Sequence, residues 1–314
     1  MVLTWKHIKI MKIKFRLFVS AMRLRTLPLS LSGVMLGILL AAADYHISLM
    51  TAVFILLTAA ALQILSNVSN ELGDYRNGTL SGQGRDCSVS LAEGQMDEKD
   101  LKRMVIFWIG ISVACGLAMI HYSFGTLFSL DSFVLMIVGF FAIKAAMKYT
   151  LGKNPYGYRG LGDLYVFVFF GFVSVLGAYF VCTHSFGTYV MMLPAASIGF
   201  FSMAVLNVNN IRDMESDRRN RVTVAIKLGE TGAKVYQTVL VVSGWAAMTV
   251  FACLRIFDPW HFLFLLTLPL YIAHLVIVWK NSDRALDRAL PLLVVSTFLL
   301  SLLAGAGFLV YLFI

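Results

Sequence analysis

The sequence predicts an all-α protein, a polytopic integral membrane bundle of nine transmembrane helices with a four-helix parallel internal repeat. Three observations predict it. The 314 residues are 59% hydrophobic and only 14% charged, and the mean hydropathy is +0.79, too little polar surface for a water-soluble domain of this length. The apolar runs are each about 20 residues long, the length that crosses a hydrocarbon core. A polar motif closing the second run, Asn70-x-x-x-Asp74, returns after the sixth as Asn209-x-x-x-Asp213, so positions 70 and 209, and 74 and 213, are both 139 apart.

In chain order, residues 1–26 read as a basic amphipathic segment, with Ile8, Ile13, Phe15 and Phe18 among its apolar residues, lying on the inner membrane surface. Residues 27–314 read as the membrane domain. The segment and the apolar run after it, ending Ala-Ala-Ala, imitate a cleavable secretory signal. We expect it to be retained, because eight spans follow and removing the first would invert the charge map. The spans are expected at 27–43, 48–67, 104–122, 126–146, 164–183, 189–208, 235–254, 262–279 and 289–313.

Threading these from an inside N-terminus leaves Arg255 as the single basic residue, of 26, on the outer side. That asymmetry is the positive-inside pattern, and one helix more or fewer would destroy it downstream. It predicts a multi-pass protein of the inner (plasma) membrane with the N-terminus and motif-bearing loops cytoplasmic. The formal charge of +9 is spread over the rim facing anionic lipid, so it predicts a bilayer partner and no nucleic acid; it says nothing of protein partners. Four scattered cysteines lack metal-ligand or disulfide spacing. The histidines at helix ends and His274 within a span read as interfacial or packing residues.

The motifs carry the chemistry. Carboxylates at membrane depth cost roughly 2.5–3.5 kcal/mol each to insert, so their default reading is functional. Residues four apart share a helix face, which groups Asn70 with Asp74, and Asn209 with Asp213 and Asp217. Oxygen ligands on two facing helices suit Mg2+, which takes a few carboxylates and completes its shell with substrate phosphates. A site at the interface of repeats is common in such bundles. We therefore expect the two tips to meet at the cytoplasmic end and to handle a diphosphate. The loop 151–162 adds Gly152, Gly157, Gly160 and Gly162 with Pro155, Tyr156 and Tyr158, glycines that let backbone amides approach an anion and aromatics that can flank a planar ring.

Three stretches carry a resemblance: LQILSNVSNELGDYRNG; NVNNIRDMESDRRN with the following KLGE; and YTLGKNPYGYRGLGDLYVFVFFG. A weaker fourth is MRLRTLPLSLSG. They resemble the intramembrane aromatic prenyltransferases related to 4-hydroxybenzoate polyprenyltransferase, most closely the branch that prenylates 1,4-dihydroxy-2-naphthoate in menaquinone synthesis. The resemblance covers about residues 22–230 and implies Mg2+-dependent transfer of a polyprenyl group from polyprenyl diphosphate to an aromatic acceptor, with decarboxylation to demethylmenaquinone. It implies metal ligation by Asn70, Glu71, Asp74, Asn209, Asp213 and Asp217, and diphosphate clamping by Arg76, Lys148, Lys153 and Arg221. Tyr149 would orient the acceptor and Arg25 would meet its carboxylate. The chain departs from the pattern after Asp74, where the family's further carboxylate is replaced by Gly78 to Leu80 and Asp86 would have to reach in. The loop's usual cation would be Arg85 or Arg76, and Arg221 preserves one after the second motif. The alternatives are another acceptor, such as 4-hydroxybenzoate, haem or a chlorophyll precursor, or a membrane transporter.

Overall fold

A computed structural model describes residues 16–77, 97–218, 221–255 and 258–310, and through them run nine helices long and apolar enough to cross a membrane. They are α1 (Leu27–Asp44), α2 (Leu49–Arg76), α3 (Glu98–Phe124), α4 (Leu130–Lys148), α5 (Gly162–Thr183), α6 (Tyr189–Arg212), α7 (Val224–Leu254), α8 (Pro259–Lys280) and α9 (Asp283–Val310). Ser48, Ser129 and Thr223 cap α2, α4 and α7 by accepting the first orphan amides. The described residues hold no strand, only an isolated bridge between Arg159 and Val222.

The number and order of spans match the sequence expectation, but the helices run further at the end that carries the motifs. α2, expected to stop near residue 67, continues more than two turns to Arg76. Hydropathy ends where the polar residues begin, whereas the backbone stays helical because those side chains find partners. The Asn70–Asp74 cluster therefore lies on the last turns of the helix, as the shared-face reading of its spacing expects.

α1 lies against α5 and α9. Gly33 and Gly37 let α5 approach: a Cβ on Gly33 would fall 2.3 Å from the Ser174 hydroxyl, and one on Gly37 2.4 Å from the Val175 carbonyl. Inside α5, residues Phe167–Val173 form a π-helical stretch. α4 sits at the periphery: Ser132 is its one buried residue, and Phe133, Phe140 and Phe141 are exposed.

The N-terminal segment is described from residue 16. Residues 16–22 are helical, and Leu17 and Ala21 are buried with Leu65, Val68 and Leu101 between α2 and α3. Asn67 ties the segment down by donating to the Met22 carbonyl at 2.8 Å and the Thr26 hydroxyl at 2.9 Å. This part is therefore packed into the bundle; Ile8, Ile13 and Phe15 lie outside the described residues. His274 is a packing residue: its Nδ1 donates to the Ala289 carbonyl at 3.0 Å and its Nε2 accepts from Gln237 at 3.0 Å. Cys115, Cys182 and Cys253 are free; Cys87 lies outside the described residues. At the end away from the motifs, Arg255 pairs with Asp44, which also accepts from the Tyr179 hydroxyl.

Candidate active site where two helix tips meet

The first motif is held by the loop that follows α4. Gly73 makes this possible, because a Cβ there would lie 2.5 Å from the Thr150 hydroxyl and 2.8 Å from its backbone carbon. With that space open, Thr150 Oγ1 donates toward Asn70 Oδ1 at 3.0 Å, sharing its proton with the Ser69 carbonyl at 3.1 Å. Tyr158 donates to Asp74 Oδ1 at 2.7 Å. Asn70 and Asp74 thus point at one loop, as their spacing predicts.

The second motif bends. α6 ends at Arg212, Asp213 leaves the helical region at φ −98° and ψ 9°, and a single turn, Met214–Asp217, follows. The amide bonds from Asp213 to Asn209 (3.1 Å) and from Asp217 to Asp213 (2.9 Å) nevertheless continue the four-residue register, so the polar residues still stack. Arg212 forks onto Asp213 at 2.9 and 2.7 Å and also reaches Asn209 Oδ1 at 2.7 Å. Asp213 is therefore partly neutralised by the neighbouring arginine, which the charge map alone treats as a topology residue.

Arg221 joins the two motifs. Its Nη2 donates to Asp74 Oδ1 at 2.6 Å, its Nε stands 3.6 Å from Asp217 Oδ1, and its guanidinium lies 4.6 Å from the Tyr158 ring centre. All three aspartates are buried, with 6–7% of their surface exposed. Burial pushes the Asp217 carboxyl up to about 6; Asp213 and Asp74 add to the rise and Arg221 opposes it. For Arg221 burial works against the charge, but Asp74 and Asp217 outweigh it and hold the group above its ordinary value. Asp217 Oδ2 and Arg221 Nε are buried without a hydrogen-bond partner among the described residues, an arrangement that calls for a further ligand.

Beside this cluster a narrow cleft is lined by Tyr149, Gly157, Gly160, Gly162, Asp163, Leu206, Asn210 and Arg221. Tyr149 meets Tyr156 edge to face at 5.3 Å, and Gly157 leaves room for it, since a Cβ there would lie 3.0 Å from the Tyr149 ring. Burial pushes the Tyr149 hydroxyl up to about 12, with Arg221 opposing and Asp163, Asp74 and Asp217 adding to the rise. It therefore stays protonated at neutral pH and offers a donor. The segment after Arg221 closes the wall, with the Val222 amide donating to the Tyr158 carbonyl at 3.0 Å.

The remaining expected residues divide. Arg76 faces away: it lies about 200° round the helix from Asp74 and pairs with Glu98 at 2.8 Å, so it does not face the cluster. Glu71 is held by Arg23, whose Nε donates at 2.8 Å. Arg25, Lys148 and Lys153 are exposed. Arg85, Asp86 and Gly78 to Leu80 lie outside the described residues. Sequence reasoning missed Thr150, Arg212, Arg23 and Asn210, the last of which lines the cleft, while Asn209 joins Asp213 through Arg212. The signal available was adjacency to a motif, which spacing alone does not rank.

Among the described residues no three carboxylate, histidine or cysteine side chains converge as a ready metal cage. A hard, all-oxygen donor set beside a buried unpartnered carboxylate oxygen nonetheless fits Mg2+, which leaves coordination positions to water and phosphate.

Comparison with known proteins decides the family. The UbiA prenyltransferase family matches residues 30–302. The chain belongs to that family. It is a multi-pass membrane prenyltransferase by descent and by fold. Among its UbiA relatives, 1,4-dihydroxy-2-naphthoate octaprenyltransferase of Escherichia coli (strain K12) is 34% identical over 86% of this chain and 87% of its own. The protein of that name from Haemophilus influenzae is 32% identical over 96% and 98%. Of solved structures, a UbiA homologue from Aeropyrum pernix in its apo form superposes with a TM-score of 0.66 at 16% identity, covering 96% of this chain and 98% of that one. A UbiA homologue from Archaeoglobus fulgidus, bound to GPP and Mg2+, gives 0.56 at 16% identity over 92% and 100%. These two establish a shared fold.

Proposed function

We propose that this protein transfers a polyprenyl group from polyprenyl diphosphate to 1,4-dihydroxy-2-naphthoate, releasing CO2 and diphosphate and giving demethylmenaquinol, the two-electron-reduced form of demethylmenaquinone, at the cytoplasmic face of the inner membrane. The observation that carries the reading is the Arg221 bridge from Asp74 to Asp217, an anion-handling cluster drawn from both motifs and set beside Tyr149. The names of the relatives support the acceptor.

In this reading Asp74 and Asp217, with Asp213 and the amide oxygens of Asn70 and Asn209, hold Mg2+; Glu71, already bound to Arg23, contributes through its charge. When bound, Mg2+ offsets the negative charge that gathers on the leaving diphosphate. Arg221 is the cation closest to the place where that charge develops, and its buried setting makes it effective there. Lys148 and Lys153 stand at the rim to receive the diphosphate, and Arg25 the acceptor carboxylate. Tyr149 donates to the acceptor and presents its ring face to the allylic cation. Leu206 and the glycine wall exclude water that would quench the cation. C–O cleavage sends its electron pair to diphosphate, the ring carbon bearing the carboxylate bonds the prenyl carbon, and loss of CO2 returns a pair to the ring.

The test is incubation of membranes containing the protein with the naphthoate acceptor, a polyprenyl diphosphate and Mg2+, with the lipid product identified by mass. Product is expected, its formation dependent on Mg2+ and nearly abolished in Asp74→Asn at matched protein level. Turnover of 4-hydroxybenzoate instead would transfer the reading to another acceptor.

A further inference from the structure

The face opposite the motifs carries a cavity of its own. The end of α1 lines it with Asp44 and Tyr45, α5 and the loop after it with Tyr179, Gly187 and Thr188, and the end of α7 with Arg255. Its volume is about 530 Å3, within the range of roughly 300–1,000 Å3 that small-ligand sites occupy. Gly187 shapes one wall, with φ 66° and so little space that a Cβ there would stand 3.1 Å from the Tyr179 ring.

Neither charge in this cavity stands where the fold alone would favour it. Asp44 is the last residue of α1, at the helix end whose dipole repels an anion. Arg255 is the single one of 26 basic residues that the topology pattern leaves at this face. The two pair with each other, but their side chains are 20% and 29% exposed, and a pair so open to water adds little stability. Both are nonetheless fixed in place. The Tyr179 hydroxyl, on a residue 2% exposed, donates to the other Asp44 oxygen at 2.7 Å. The guanidinium carbon of Arg255 lies 5.8 and 5.3 Å from the ring centres of Phe251 and Phe308. The cavity therefore presents an oriented carboxylate beside an oriented guanidinium.

Charge and position together name the ligand. Because the two wall charges cancel, an anion gains from Arg255 what it loses to Asp44, whereas a zwitterion gains from both. Leu49, Phe186, Tyr189 and Trp260, at the same end of the bundle, are 73%, 62%, 85% and 40% exposed, an apolar and aromatic rim of the kind that meets the bilayer interface. A zwitterion reaching the cavity from that rim is the head of a lipid. We propose that the cavity binds the phosphoethanolamine head of a membrane lipid, its phosphate on Arg255 and its ammonium on Asp44, with Tyr45 and Thr188 at the mouth. A primary ammonium donates hydrogen bonds to a carboxylate; a trimethylated one has none to give. The site lies at the opposite end of the helices from the aspartate cluster, and the proposal does not depend on the prenyl-transfer reading.

The experiment titrates the full-length protein in detergent with short-chain phosphatidylethanolamine, phosphatidylcholine and phosphatidylglycerol, and with glycerophosphoethanolamine, which has the head but no tails. Bound lipid is counted by native mass spectrometry and affinity is read from the shift in thermal midpoint. Phosphatidylethanolamine is expected to bind one to one, about tenfold or more tighter than the choline and glycerol lipids, the effect of a charge-assisted hydrogen bond that they lack. The double variant Asp44→Asn/Arg255→Gln removes both charges without stranding either, and should lose that preference. Equal affinity of the wild type for the three lipids, or wild-type preference in the double variant, overturns the proposal. Binding of glycerophosphoethanolamine as tightly as the lipid overturns the assignment to a membrane lipid.

Discussion

Arg221 Nη2 stands 2.6 Å from Asp74 Oδ1 across 147 positions of sequence, with 8% and 10% of the two side chains exposed. This contact fastens the tip of α2 to the segment after α6 and neutralises a carboxylate whose charge Mg2+ would otherwise balance. Removing one partner of a buried pair strands the other charge, at a cost of about 3–5 kcal/mol. Arg221→Ala should therefore lower the thermal midpoint in detergent, and adding Asp74→Asn should recover part of the loss. Because a cation is missing, Mg2+ should raise the midpoint of Arg221→Ala more than that of the wild type. Additive losses in the two single variants would show that the pair does not couple the motifs.

Asp217 sets a pH dependence. Burial and the neighbouring carboxylates raise its pKa to about 6 in the folded protein, above the unfolded value, so the folded state binds the proton more tightly. Ionised Asp217 accordingly destabilises the metal-free protein: the cost is absent below the unfolded pKa and present in full once pH exceeds about 6. Mg2+ requires the ionised form. Its apparent affinity should weaken as pH falls below about 6, by up to tenfold per unit for one proton, and binding near that pH should release a proton. Calorimetric Mg2+ titrations in buffers of different ionisation enthalpy measure both, and Asp217→Asn should flatten the profile.

What the sequence reveals depends on which constraint acts. The nine spans were legible because a bilayer demands a fixed apolar length and sorts Lys and Arg to one side; Arg255, alone at the far end, is held there by Asp44. Asp74, Asp213 and Asp217 were legible because a carboxylate at that depth is costly unless used. The partner of each carboxylate was not. Arg76 and Arg221 look equally suited to a diphosphate, yet helix geometry turns the first onto Glu98 and brings the second to Asp74. Asn209 and Asn210 differ by one residue and about 100° of helix, and only the packed structure says which faces the cleft.

Gly73 is where loop and motif fit together. Valine there would drive methyl groups into Thr150, whose backbone as well as side chain lies within 2.8 Å of the added Cβ. The loop would lift from α2, breaking the bonds from Thr150 to Asn70 and from Tyr158 to Asp74. Overpacking of this kind costs about 1–3 kcal/mol. Gly73→Val should thus lower stability modestly and turnover far more, with the KM for polyprenyl diphosphate raised. A variant that loses stability and activity in proportion would place the effect in general unfolding.

Arg23 holds the N-terminal segment against α2 at a backbone cost. Its φ is 46°, a left-handed conformation that costs a non-glycine residue roughly 1–2 kcal/mol. The conformation persists because it delivers the guanidinium to Glu71, whose side chain is 4% exposed, while Asn67 grips the Met22 carbonyl alongside. Arg23→Ala and Arg23→Gly both lose the ion pair, but glycine accepts the left-handed backbone freely. Arg23→Gly should therefore be more stable than Arg23→Ala by about 1 kcal/mol, reversing the usual order, in which glycine loses more entropy on folding. Both variants, and Glu71→Gln, should expose residues 16–26 to limited proteolysis faster than the wild type. Equal or inverted stabilities of the alanine and glycine variants would mean that the ion pair, rather than the backbone, carries the whole effect.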